Sequence, residues 1–247
     1  VFMRGGTSRA LFFHQHALPA ARADWDPILL AALGSPDPNG RQLDGMGGGL
    51  SSLSKIAVIG PPSRPDADVD YTFAQVAIDA PVVGYTGNCG NISSAVGPFA
   101  VDEGLVRPQA DQAVVRIHNT NTSKIIVARF PVENGKAAVR GDFVLQGVAG
   151  TGAPIRLAFQ DPGGAATGRL LPTGNARDRL EIPGLGPVEV SLVDAANPVV
   201  FVAAASLGIT AAESPAALAA DQAFVARAED IRVQAAVAMG LAADEAA

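Results

Sequence analysis

Short apolar runs bounded by glycine, proline and asparagine dominate the chain up to about position 204. Runs of this length between turn residues are typical of β-strands. An Asn134-Gly135 pair carries the signal of a tight hairpin. The pattern predicts strands at 1–3, 10–13, 56–59, 69–78, 81–85, 113–118, 124–130, 137–139, 155–159, 187–193 and 199–204.

Three stretches favour helices instead. Residues 24–33 form an amphipathic pattern that begins at Asp24 or Asp26, with its buried side predicted at Trp25, Ile28, Leu29 and Leu33. Residues 92–101 read as a short apolar helix, and the alanine-rich tail at 215–239 suits one or two helices. The chain is therefore predicted to be α+β.

The segment 146–154 is the best linker by composition, because glycine and other small residues dominate it. We therefore expect a first domain at 1–150 and a second at 151–247. The first should contain a central helix after Cys89. The second should hold strands and surface helices without a central one.

Composition narrows the class of protein. The 247 residues carry a net charge of −6, and the basic residues are scattered, which argues against a nucleic-acid or anionic-membrane surface. One cysteine permits no intramolecular disulfide, and no apolar run is long enough to span a membrane. We expect a cytoplasmic protein. His14 and His16 have no acidic or cysteine cluster at ligand spacing, so no metal site is predicted.

Cys89, the single cysteine, stands between two Gly-Asn pairs just before the helix predicted at 92–101. Free backbone N–H groups and the positive end of the helix dipole meet at such a point. A thiol there ionises more readily, and a carboxylate is held without a cationic side chain. The alternative is a small apolar side chain with no chemical role.

Lys55 is one of only three lysines, against fifteen arginines, and it follows a glycine loop at the mouth of an apolar strand. Partial desolvation brings a lysine toward the range of a general base. The alternative is a strand-end lysine that reaches solvent. The loop fits neither a P-loop nor a dinucleotide fingerprint. Near the start of the chain, Thr7 and Ser8 lie in a glycine turn that could face an anion or form an ordinary hairpin.

Taken in order, these motifs resemble the PrpF family, which contains 2-methylaconitate cis–trans isomerases and 4-oxalomesaconate tautomerases. The resemblance covers essentially the whole chain. Arg9-Ala10 stands where the family commonly has Lys-Gly. The segments that carry the resemblance are Met3-Arg-Gly-Gly-Thr-Ser8, Asp44-Gly-Met-Gly-Gly48, Ser54-Lys55, Asp68-Val-Asp-Tyr71, Gly87-Asn-Cys-Gly-Asn91, Val96-Gly97 and Leu171-Pro-Thr-Gly-Asn175.

The resemblance implies a diaminopimelate epimerase-like fold, in which two similar domains each wrap a curled mixed sheet around a central helix. It implies Lys55 and Cys89 as the acid/base pair, with no organic cofactor and no metal. It also implies an incomplete C-terminus, since family members continue beyond Ala247 and that further part supplies the central helix of the second domain. Substrate contacts are expected from Arg4, Thr7, Ser8, Ser54, Asn88, Gly90, Asn91 and Asn197.

The expected reaction moves a proton and a double bond in an unsaturated di- or tricarboxylate, which is the only partner we expect; a homo-oligomer is compatible with the sequence. The segment 118–122 favours a methylaconitate-type substrate over an oxalomesaconate-type one. Two alternatives remain open. An amino-acid epimerase or racemase of the same fold would need a second thiol facing Cys89. A noncatalytic carboxylate-binding protein would keep the anion turns without turnover.

Overall fold

The computed structural model describes residues 1–244, and the chain divides into two compact units. The first unit spans Val1–Asp161, and the second begins at Pro162. No helix among residues 1–244 is long and apolar enough to cross a bilayer.

The first unit contains eleven strands and two α-helices. In chain order they are β1 (Phe2–Gly5), β2 (Ser8–His14), α1 (Trp25–Leu33), β3 (Lys55–Gly60), β4 (Val69–Val76), β5 (Val83–Gly84), α2 (Gly90–Asp102), β6 (Gln112–Asn119), β7 (Lys124–Glu133), β8 (Lys136–Ala137), β9 (Phe143–Val144), β10 (Thr151–Gly152) and β11 (Arg156–Phe159).

Nine of these strands form one mixed sheet with the order β1-β2-β3-β4-β6-β7-β11, in which β5 pairs with β4 and β8 with β7. The β2/β3 and β4/β6 pairs are parallel, and the other pairs are antiparallel. Strands β9 and β10 form a separate hairpin. Asn134 and Gly135 both adopt positive φ, so the predicted Asn-Gly hairpin is confirmed.

The two faces of this sheet bury two separate cores. Ala57 and Ile59 of β3 belong to the core around α2, whereas Ile56 and Val58 belong to the core under α1. Successive side chains on a strand point to opposite faces. Strand β3 is continuously apolar because both of its faces are covered.

Helix α2 is central to the first unit, as the sequence predicts. Nine of its residues are buried, among them Ile92, Val96 and Phe99. Gly97 lets the sheet approach closely, since a Cβ there would lie 2.7 Å from the Phe130 ring. Helix α1 buries a narrower stripe: Ile28 is 38% exposed, so its predicted burial is wrong.

Up to residue 244, the second unit contains three antiparallel strands and two α-helices: β12 (Asp178–Ile182), β13 (Gly186–Ala195), β14 (Asn197–Val202), α3 (Pro215–Ala220) and α4 (Gln222–Ala238). Two residues of α4, Ile231 and Ala235, are buried, and they pack with Leu192 in the core of this unit. Helix α4 therefore covers the sheet as a surface helix.

Besides the exposure of Ile28, the domain boundary and three strands, β9, β10 and β12, differ from the sequence expectations. The first unit ends at Asp161 rather than near 150, because β11 pairs with β7 and extends the first sheet. The strand Asp178–Ile182 is absent from the predicted set. In this strand charged residues alternate with Leu180 and Ile182, which form a short buried apolar face. The strand pairs with β13.

Candidate functional site

Cys89 is the N-cap residue of α2, as its position between two Gly-Asn pairs predicts. Its backbone is extended, with φ −112° and ψ 101°, and its carbonyl accepts the Ser93 N–H at 2.9 Å. The thiol is half-buried and packs against the core around α2. The N–H groups of the first helical turn therefore lie beside it without intrahelical acceptors.

Lys55 is the first residue of β3 and is only 9% exposed. Its Nζ donates a hydrogen bond of 2.5 Å to Gln75 Oε1 and lies 5.2 Å from the centre of the Phe73 ring. The antiparallel register sets Lys55 opposite Gln75 and Ala57 opposite Phe73. The amine is thus held against β4 rather than extended into solvent.

Lys55 and Cys89 lie on the same side of the sheet. Alternation along β3 gives Lys55 the same face as Ala57 and Ile59, which belong to the core around α2. Cys89 packs against that same core. The fold therefore brings the two residues singled out in the sequence to one face of the first unit.

The glycine turn between β1 and β2 rests on the first turn of α2. The Thr7 N–H donates to Asn91 Oδ1 at 3.1 Å. A Cβ on Gly5 would lie 2.5 Å from the Asn91 carbonyl oxygen, and one on Gly6 would lie 2.1 Å from Asn91 Oδ1. Within the turn, Arg4 Nη1 donates to the Gly6 carbonyl at 2.8 Å. Only glycine permits this close approach.

A small amide network holds the residue before Cys89. Asn88 Oδ1 accepts from Asn119 Nδ2 at 3.1 Å and lies 3.2 Å from the Ser93 hydroxyl. Asn119 is fully buried, and its own Oδ1 accepts from the N–H and the hydroxyl of Thr122. Asn119 lies in the segment 118–122 but is not among the predicted site residues, although a polar residue at the end of an alternating strand is a usable signal.

Ser54 is fully buried, and its hydroxyl is used inside the protein. It donates to the Val76 carbonyl at 2.8 Å and accepts from Gln42 Nε2 at 2.8 Å. Gln42 is 1% exposed; its amide also donates to Ser35 and accepts from the Gly49 N–H. These contacts favour a positioning role for Ser54 and reveal Gln42, which the sequence did not single out.

Tyr71 is a buried titratable group near Cys89. It is fully buried, and its hydroxyl has no hydrogen-bond partner among residues 1–244. Burial raises the pKa of Tyr71 well above its ordinary value, and Cys89 raises it further. Ser93 acts in the opposite direction and lowers the pKa of Tyr71 in part. The Ser93 hydroxyl itself donates to Asn88 Oδ1 and to the Cys89 carbonyl, not to Tyr71. Tyr71 is therefore a neutral phenol near the thiol.

A cavity of about 350 Å³ opens beside the start of α2. Arg4, Gly90 and Asn91, three of the predicted substrate contacts, are among the residues that line it. Its apolar wall comes from Phe143, Leu145, Val148, Ile155 and Leu157. Lys55 and Cys89 are not among the described residues that line it.

The remaining predicted site residues are placed as follows. Ser8 is 4% exposed and pairs with Gly5 at the start of β2. Asn197 is the first residue of β14, in the second unit, and its substrate contact stays a prediction. Within residues 1–244, no three His, Cys, Asp or Glu side chains gather as metal ligands.

The sequence matches one protein-family model and several proteins named as isomerases or tautomerases. The family model described as "PrpF protein" matches residues 1–247. The chain is 48% identical over 245 residues to a 3-methylitaconate isomerase of Eubacterium barkeri, covering 99% of this chain and 64% of that protein. It is 43% identical to a 2-methyl-aconitate isomerase of Cupriavidus necator, covering 100% and 65%. It is 46% identical to a 4-oxalomesaconate tautomerase of Pseudomonas putida, covering 95% and 63%.

Solved structures agree on the fold. A methylitaconate-delta-isomerase, 48% identical, superposes with a TM-score of 0.78 over 100% of this chain and 63% of its own. A hydroxyproline epimerase from Agrobacterium vitis, 11% identical, gives a TM-score of 0.50 over 85% and 53%, which supports the fold alone. The expected diaminopimelate epimerase-like fold is confirmed. The chain spans less than two thirds of the length of these relatives.

Proposed function

The chain belongs to the PrpF family, and from this premise we propose that it is an isomerase of unsaturated di- or tricarboxylates. The reaction moves one proton and one double bond within a methylaconitate- or methylitaconate-like acid. Lys55 and Cys89 are the acid/base pair. Relatives named for 3-methylitaconate, 2-methyl-aconitate and 4-oxalomesaconate, at 43–48% identity, support this class of reaction.

One structural observation carries the proposal: Lys55 and Cys89 lie on the same face of the first sheet, against the core around α2. A proton shift between two carbons of one substrate needs a proton to be taken from one carbon and returned to the other, and two acid/base groups can divide these tasks. A buried amine and a half-buried thiol on one face suit these tasks.

The proposed steps balance without an oxidant or reductant. One of the pair removes a proton from an allylic carbon, and the electron pair of the broken C–H bond delocalises through the double bond onto the neighbouring carboxylate. The double bond then forms at its new position as the other residue delivers a proton to the far carbon. Since both transfers use side chains, we propose that the reaction needs no cofactor.

Carboxylate binding is assigned to neutral donors and one cation. Arg4, Gly90 and Asn91 line the same cavity, and the Thr7 N–H is hydrogen-bonded to Asn91. Aligned N–H groups at a helix start bind anions. Local donors of this kind are needed because the chain as a whole carries a charge of −6. Ser54 supports this site indirectly, through its place beside Lys55.

The experiment incubates the full chain in D₂O with 2-methylaconitate, 3-methylitaconate or 4-oxalomesaconate and follows the acid by proton NMR. We expect a new isomer and solvent deuterium at an allylic carbon, unchanged by EDTA. The variants Lys55→Met and Cys89→Ser should each abolish turnover. Binding of these acids without exchange would favour a noncatalytic carboxylate-binding protein. In a parallel incubation with an amino acid as the substrate, deuterium at its α-carbon would favour the epimerase alternative.

A further inference from the structure

Gln75 is the side chain that holds Lys55. It lies on β4 directly opposite Lys55 in the antiparallel register. Its amide nitrogen donates to two backbone carbonyls, that of Ser54 at 2.9 Å and that of Ser51 at 3.1 Å. These two bonds use both amide protons, so the amide orientation is fixed and its oxygen is the atom that faces Lys55 Nζ.

The chemistry of this acceptor matters more than its position alone. An amine donates a hydrogen bond both as –NH₃⁺ and as –NH₂, so a neutral amide oxygen can hold it before and after proton transfer. A carboxylate at the same place would add a negative charge and favour the ammonium form. We propose that Gln75 is a positioning residue that keeps the Lys55 nitrogen in place through both protonation states without fixing its charge. This inference rests on the proposed role of Lys55.

The other groups that face Lys55 do not supply a competing charge. From β4 come Phe73 and Tyr71, and from the start of α2 comes Cys89. From β2 come Ser8 and Ala10, the latter paired with Lys55. Among residues 1–244, the titratable groups that these elements contribute to this face are the Tyr71 phenol, the Cys89 thiol and the His14 imidazole. His14 lies at the far end of the face, where it pairs with Ile59 rather than with Lys55 and contacts Glu103. Gln75 is the one polar contact to Nζ that the described part of the chain provides.

Three variants of the full chain test the inference: Gln75→Glu, Gln75→Met and the control Gln112→Glu, which makes the same change at an exposed position of β6. For each, kcat and KM are measured across pH, with a thermal unfolding curve. In Gln75→Glu, the limb of the kcat/KM profile that depends on the amine should move to higher pH by about 1 to 3 units. This direction holds whether Lys55 acts as base or as acid.

Gln75→Met keeps the length of the side chain but offers no acceptor. We expect kcat to fall about tenfold or more, because the amine is no longer held, with a smaller change in KM and no upward shift of the limb. Gln112→Glu should behave as the unaltered chain.

Folded Gln75 variants with unaltered kcat and an unmoved limb would overturn the inference. So would an equal loss of activity at every pH in both variants, because that is the result of a purely structural role. Activity that survives in Lys55→Met would instead overturn the proposed function. If Gln75→Glu fails to fold, Gln75→Met alone tests the inference. A fall in kcat with a smaller change in KM supports it, and an unaltered kcat overturns it.

Discussion

The backbone N–H of Thr7 donates to the side-chain Oδ1 of Asn91 at 3.1 Å, although the two residues are 84 positions apart. This bond ties the turn between β1 and β2 to the first turn of α2. The turn and the helix start can thus act as one anion-binding surface.

Replacing the glycines of this turn should damage the surface. Gly6→Ala adds a Cβ 2.1 Å from Asn91 Oδ1 at a residue with φ +52°, so the Thr7 bond must break. We expect it to cost more than the roughly 1 to 2 kcal/mol of a left-handed alanine. Gly40→Ala is the matched control, because Gly40 has φ +66° and open space around it. Urea unfolding measures both, and equal costs would contradict the close approach.

Lys55→Met should separate activity from stability. We expect kcat to fall by about 10²- to 10⁴-fold, the usual contribution of a general acid or base. The unfolding free energy should change by about 1 kcal/mol or less, since methionine preserves the apolar stem against Phe73. Lys124→Met, on β7 of the same unit, is the control. Near-normal turnover in Lys55→Met would remove Lys55 from the reaction.

Cys89 can be followed by labelling, because the chain contains one cysteine. Iodoacetamide should modify one site per chain and abolish turnover. A bound carboxylate substrate should slow this labelling about tenfold at a concentration near ten times Kd, since only the free protein reacts. The control is the labelling rate with succinate added at a concentration too low for it to bind the protein. Labelling that proceeds at the same rate with saturating substrate would place Cys89 outside the site.

Gln42 should matter for stability first. Gln42→Leu leaves the Gly49 N–H and the hydroxyls of Ser35 and Ser54 without this partner inside the protein. We expect a loss of about 1 to 3 kcal/mol in urea unfolding, and a lower kcat because Ser54 precedes Lys55. Gln112→Leu, at an exposed position, should change stability by about 0.5 kcal/mol or less. Equal effects of the two changes would refute the role of Gln42.

The loop that begins at Asp37 should loosen in acid. Its carboxylate accepts the N–H groups of Asn39, Arg41 and Gln42, and the Asn39 bond does most to lower the pKa of Asp37 below its ordinary value. A lowered pKa contributes stability that is present above the ordinary value and is lost as pH falls through the folded one. The protection of these amides, measured as the exchange rate relative to the intrinsic rate at the same pH, should therefore fall below about pH 4. Asp37→Asn should remove this pH dependence, and an unchanged profile would contradict it.

The local features of this protein can be predicted from its amino-acid sequence alone. Apolar runs marked most strands, and the Gly-Asn pairs around Cys89 placed it at the start of α2. The glycine loop before a buried strand marked Lys55. Such features depend on residues within a few positions of each other, and one sequence is enough to read them.

The contacts between residues distant in the chain become visible in the folded protein alone. The register of β3 and β4 sets Gln75 opposite Lys55, and the packing of the first turn sets Asn91 against Thr7. Gln42 holds Ser54 from a loop whose backbone conformation, with φ 53°, no short pattern predicts. Strand β11 belongs to the first unit because it pairs with β7. The amino-acid composition near position 150 does not indicate this pairing. The reason is physical: register and long-range pairing follow from the packing of whole faces, to which each residue contributes only a part.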